Sequence, residues 1–103
     1  MTDRALTTPP RDQRRLPGAD LVAAGVEDLK GGRETEPALL VSIASTRLRD
    51  LGVDIPEQVI EQPQQRLYDL LQRAHGDDAH SRYNGLVDRI VSYANAADHA
   101  RTR

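Results

Sequence analysis

The stretch HGDDAHSRYNG, His75 to Gly85, gathers two imidazoles, two carboxylates, a guanidinium, a phenol and an amide. His75 and His80 with Asp77 or Asp78 have the donor types of a zinc or nickel site, which accepts imidazoles together with a carboxylate. The spacing argues against that chemistry. His75 ends one helical pattern and His80 begins the next, with Gly76 between them, whereas a strong helical site projects two histidines at i and i+4 from one face. Helix punctuation explains the same residues: Gly76 as a C-terminal cap, His75 in a last turn, and Asp77 or Asp78 capping the next helix, where the dipole favours carboxylates. The expectation is no metal and no cofactor.

Other catalytic geometries fit no better. Ser81 follows His80 directly, and adjacent helical residues diverge by about 100°, too far for a nucleophile–base pair. Metal-free RNA cleavage of the HEPN type, also built on small helical bundles, places an Arg and a His a few residues apart on one helix. Here no His follows Arg82 before His99, and Arg73 and His75 point to different sides of a helix. That comparison rests on fold class alone. Gly31-Gly32 follows a helical pattern and lacks the preceding strand that a phosphate-binding loop needs.

Recognition suits the residues better. The polar face of the last helical stretch carries Arg82, Asn84, Asp88, Arg89, Ser92, Asn95 and Asp98. Arg82 and Arg89 lie about 10 Å apart on one face, and Gly85 leaves a shallow gap between them. Arg and Tyr anchor protein interfaces because each joins a flat apolar surface to hydrogen-bonding ends. Arg82, Tyr83, Asn84 and Arg89 are therefore the expected interaction residues, with His80 and Asp78 as weaker polar-site candidates. The competing interpretation is structural, with Arg82 and Arg89 pairing with Asp78, Asp88 or a neighbouring helix.

These residues need elements to hold them. Residues 19–30 place Leu21, Val22, Gly25, Val26 and Leu29 at helical spacing, ended by Gly31-Gly32. Gly25 costs about 1 kcal/mol relative to Ala inside a helix, which close approach of a neighbouring helix would offset. A second helix starts at Thr35 as cap, with Glu36 and Pro37 in its first turn, and ends at Gly52. Its buried stripe is Leu40, Ile43, Ala44, Leu48 and Leu51, widened by Leu39, with Ser42, Ser45 and Thr46 mostly outside. Those small residues would let another backbone approach.

PEQVIEQ reads as one short helical turn before Pro63 opens a third helix to His75. Leu67, Leu70, Leu71 and Ala74 face inward there, and Asp69 pairs with Arg73. A fourth helix covers about residues 79–100, with a seam of Tyr83, Leu86, Val87, Ile90, Ala94 and Ala97, and Tyr93 at its edge. No stretch alternates long enough for a strand. The pattern predicts an all-α domain, a small antiparallel four-helix bundle or an irregular relative, over residues 17–100.

Composition sets the bounds. The chain has 103 residues, with no Cys, Phe or Trp, so disulfides and thiolate chemistry are excluded and the core is aliphatic. Such a thin core suggests stabilisation by a protein partner or self-association. Arg4, Arg11, Arg14 and Arg15 make residues 1–16 a basic arm, read as disordered, and Arg101 and Arg103 make residues 101–103 a basic tail. The segment between is acidic and repels phosphate backbones, so nucleic-acid binding would fall to the tails alone. No window reaches the ~18 apolar residues of a membrane span, and the N-terminus lacks an apolar leader. The expectation is a cytoplasmic, non-enzymatic adaptor or regulatory subunit, of antitoxin or assembly-partner type, binding protein through the polar face of its last helix. A small helical-bundle nuclease or inactive relative is the alternative, and tail-driven nucleic-acid binding a weaker one.

Overall fold

A computed structural model of the protein describes residues 16–101, all of whose regular structure is helical. The helices are α1 (Ala19–Lys30), α2 (Glu36–Ile43), α3 (Ser45–Asp50), α4 (Pro63–His75) and α5 (Ala79–Arg101), with a 3-10 turn, Gly76–Asp78, before α5. The basic arm, apart from Leu16, and the last two residues of the basic tail lie outside the described residues.

Punctuation explains most of the boundaries. At the end of α1, Gly32 has φ +72°, its N–H donates to Leu29 O, and Arg33 N–H reaches back to Asp28 O at 2.8 Å. The same pair of bonds closes α3, where Gly52 (φ +93°) donates to Arg49 O and Val53 to Leu48 O. Both ends are Schellman motifs, in which the left-handed residue is most easily glycine. Thr35 Oγ1 accepts from Ala38 N–H at 3.2 Å to cap α2, and donates to Asp28 Oδ2 at 2.6 Å. One hydroxyl thus ties the start of α2 to the end of α1.

The expected single helix from Thr35 to Gly52 is instead bent at Ala44 (φ −100°, ψ 15°) into α2 and α3. Ser42 Oγ donates to Ala38 O at 2.9 Å and accepts from Ile60 N–H at 3.2 Å. Such back-bonding to i−4 competes with the helical ladder and bends it. Nor is α2 one-sided: Ala38, Leu39, Leu40, Val41 and Ser42 are all buried, because α1, α4 and α5 each pack against it. A helix covered all round has no polar face to display. Ser42 and Ser45 are therefore inside, while Ile43 and Ala44 from the expected stripe are only half-buried.

PEQVIEQ forms no helical turn. Arg49 Nη2 donates to Pro56 O at 2.6 Å and Glu57 O at 3.3 Å, and Ser42 takes Ile60 N–H, so side chains partner this backbone. Gln62 is left-handed (φ +50°), consistent with the bar on right-handed helix just before proline. On α4, Leu67 and Leu71 are buried and Leu70 half-buried, but Ala74 is exposed, and Asp69 accepts from Gln65 Nε2 at 3.1 Å instead of pairing with Arg73. Gly76 turns the chain with φ +59°. Neither Asp77 nor Asp78 caps α5 by a side-chain bond; the 3-10 turn leads straight into it.

The seam of α5 is rotated from the expected one. Tyr93, expected at the edge of the seam, is fully buried and is the largest such side chain, while Tyr83, Leu86 and Val87 are half-buried. Its inner residues, Ile90, Tyr93, Ala94 and Ala97, join Val22, Leu40, Leu48 and Leu67 in one core. The Cα radius of gyration is 13.4 Å, close to the ~13 Å of a compact chain of about 100 residues.

Candidate functional site

Helices α4 and α5 are joined by a tight turn, so residues at similar distances from Gly76 come side by side. Tyr68 of α4 thereby meets the first turns of α5. Its ring lies 5.7 Å from that of Tyr83, tilted by 56°, and 6.4 Å from the imidazole of His80 in an edge contact. One turn along α5, Asn84 Nδ2 stands 3.2 Å from His80 Nε2 and donates to it when the neutral ring carries its proton on Nδ1. With Gln64 and Gln65 these residues line an open cleft of about 490 Å³.

The lining contains no Asp, Glu, Lys or Arg. It offers ring faces, primary amides and an exposed imidazole, which suit recognition of an uncharged extended surface. Burial pushes the Tyr93 phenol up to about 12, but that residue lies in the core, away from this cleft.

The expected interaction residues fall on two sides of α5. Tyr83, Asn84 and His80 face the aromatic cleft. Arg82 and Arg89 flank Gly85 and, with Leu71 and Leu86, line a separate recess of about 260 Å³. The shallow gap read at Gly85 is real: nothing lies within 4 Å of where its Cβ would stand. Arg89 Nη2 is 3.5 Å from Asp20 Oδ1 on α1, a contact between two exposed groups of little energetic weight. Arg82 has no ion-pair partner among the described residues. Asp78 is exposed in the 3-10 turn, away from both clefts.

Two other expected face residues are committed elsewhere. Arg47 Nη2 donates to Asn95 Oδ1 at 3.0 Å and lies 3.9 Å from Asp98 Oδ2, joining α3 to the end of α5. Among the described residues no group of three or more His, Asp or Glu is placed to hold a metal ion, and no helix is long and apolar enough to cross a membrane.

Tyr68 is the site residue that sequence spacing misses. Nothing local links it to His80, twelve positions on. The available signal is the hairpin itself: folding the chain back at Gly76 brings Tyr68 opposite the first turns of the next helix. Comparisons with protein-family models, characterised proteins and solved structures give no significant match, so the side chains of this surface carry the functional reading.

Proposed function

We propose that the protein is a non-enzymatic helical adaptor or regulatory subunit that binds another protein through the outer face of α5. The observation that carries the reading is the Tyr68–His80–Tyr83–Asn84 cleft, with Arg82, which has no ion-pair partner among the described residues, on the adjoining side of the same helix. Val91, the exposed large hydrophobic residue at 44%, extends the same helix face toward its C-terminal half. Aromatic rings give contact area at small entropic cost, and amides fix orientation. The architecture that presents this face is, on our reading, an irregular relative of the antiparallel four-helix bundle. A cytoplasmic site of action belongs to the same proposal and is tested by cell fractionation.

The test is co-purification from the native host, quantified by mass spectrometry for the wild type and for Arg82→Ala combined with Asn84→Ala. The partner is expected to be lost from the double variant and kept by Arg66→Ala, whose side chain pairs with Glu34 on another face. Retention of every partner by the double variant would sink the reading. The nuclease-like alternative has His80 and Asn84 in its favour but no cation lining their cleft. Ribonuclease activity that disappears in His80→Ala would reinstate it.

A further inference from the structure

The aromatic cleft is bare in the described residues, yet the chain carries a segment suited to it. Residues 7–11 read Thr-Thr-Pro-Pro-Arg. Proline-rich segments are pre-extended, lose little entropy on docking, and are recognised by aromatic-lined grooves with nearby hydrogen-bond donors. The cleft offers that combination: the tilted Tyr68–Tyr83 pair with the amides of Gln64, Gln65 and Asn84.

Where the described chain begins makes the connection short. A Cβ built on Gly18 would stand 3.0 Å from Arg89 O and 3.2 Å from Tyr93 Cβ, so the arm departs from the surface of α5 itself. From Arg89 back to Asn84 and His80 is about 7.5–13.5 Å along the axis, plus half a turn around the helix. The residues between Pro10 and Gly18 span up to about 25 Å when extended. The route over the exposed side of α5 crosses Gly85, which leaves open space between Arg82 and Arg89.

Net charge draws the arm to the body as a whole, while the cleft itself is uncharged. Arg4, Arg11, Arg14 and Arg15 outnumber Asp3 and Asp12 in the arm, whereas residues 16–100 carry fourteen Asp and Glu against eight Lys and Arg. Attraction between arm and body raises the local concentration of a segment already tethered on the same helix, half a turn from the cleft.

We infer that the Thr7–Arg11 segment of the same chain crosses α5 at Gly85 and docks its prolines on Tyr68 and Tyr83, as an internal competitor for the partner. The inference rests on reading this face as a protein-binding surface, and it gives that surface a regulated form: a partner must displace the arm or bind a chain whose arm is engaged elsewhere.

The chain lacks cysteine, so Thr8→Cys carries a nitroxide spin label at a unique position in the full-length protein. In isotope-labelled protein, the signals of Tyr68, His80, Tyr83 and Asn84 are expected to lose intensity selectively, and to recover when the nitroxide is reduced. Pro9→Gly with Pro10→Gly in the same labelled chain is expected to abolish the loss. Unchanged intensities at those four residues, or loss confined to another face, would overturn the inference. A second sample mixes spin-labelled chains without isotope with isotope-labelled chains without the spin label. Intensity loss there would assign the cleft to another copy's arm and overturn docking within one chain. Partner capture that depends on Arg82 and Asn84 would survive either negative result, so failure of the arm inference is distinguishable from failure of the adaptor proposal.

Discussion

At the scale of single residues, two helical glycines make opposite demands. A Cβ on Gly25 would collide with Val41 Cγ2 and the Pro37 carbonyl, whose carbon lies 2.9 Å away, because α1 and α2 touch there backbone to backbone. Gly25→Ala is expected to destabilise by about 1–3 kcal/mol through overpacking, despite the better helix propensity of alanine. Gly85→Ala, with open space around it, should stabilise by up to about 1 kcal/mol. Urea unfolding of both variants checks the pair, and stabilisation by Gly25→Ala would mean that α1 and α2 do not meet as described. Tyr93 supplies a pH-dependent case. Burial raises its phenol from 10.0 to about 12, so the folded state keeps the proton after the unfolded state has lost it. Its contribution is fully present below pH 10 and is lost as pH rises toward 12. Two pKa units correspond to about 2–3 kcal/mol. Tyr93→Phe should therefore have a flatter stability curve than the wild type between pH 9 and 12, and parallel curves by denaturant titration would refute this.

At the scale of elements, the Thr35 hydroxyl serves α1 and α2 together. Thr35→Ala removes the cap on Ala38 N–H and the bond to Asp28, at an expected cost of about 1–2 kcal/mol. Asp28→Asn should lose part of the same energy, so a double-mutant cycle should show coupling between the two sites; strict additivity would contradict the shared hydroxyl. The Thr35 cap was legible in the sequence because a cap, like the boundaries at Gly52, Pro63 and Gly76, acts locally, whereas the bond to Asp28 depends on how α1 and α2 meet. Which face of a helix is buried was less legible. ALLV in α2 is too short a run for periodicity to separate one-sided burial from burial all round. The difference is made by α4 and α5, which are distant in sequence. Tyr93 misleads for a related reason: an amphipathic ring suggests an edge position, but the register of α5 against α2 places it in the core. The candidate site divides the same way, with Tyr83, Asn84 and His80 readable from their run and Tyr68 supplied by the hairpin. Rotation of the α5 seam also changes an energetic expectation. Ile90→Ala, at 2% exposure, should cost about 2–5 kcal/mol. Leu86→Ala should cost clearly less because Leu86 is half-buried; equal losses of melting temperature would return Leu86 to the core.

At the scale of the whole molecule, the long helices and the Val53–Ile55 connector all contribute to one core cluster, and α2 sits within it. No subset of helices can leave without exposing residues that the others bury, so unfolding should be a single cooperative event. The chain has no Trp, and Tyr93 is its fully buried aromatic residue, which gives two probes of different reach. Far-ultraviolet circular dichroism follows all the helices, whereas near-ultraviolet tyrosine signals follow packing around Tyr93 and the Tyr68–Tyr83 pair, all of which depends on α5. Their urea midpoints should coincide in the wild type and shift together in Leu40→Ala, which empties a fully buried position on α2, the helix against which α1, α4 and α5 pack, at a cost of about 2–5 kcal/mol. Total stability for a domain of this size is about 4–13 kcal/mol, so that single substitution removes a large fraction of it. A tyrosine midpoint clearly below the helical one would mean that α5 detaches while α1 and α2 persist, and the surface proposed for binding would then be a separable element. Coincident midpoints instead make that surface part of the folding unit. A partner bound to α5 would then stabilise every helix by mass action, raising both midpoints equally.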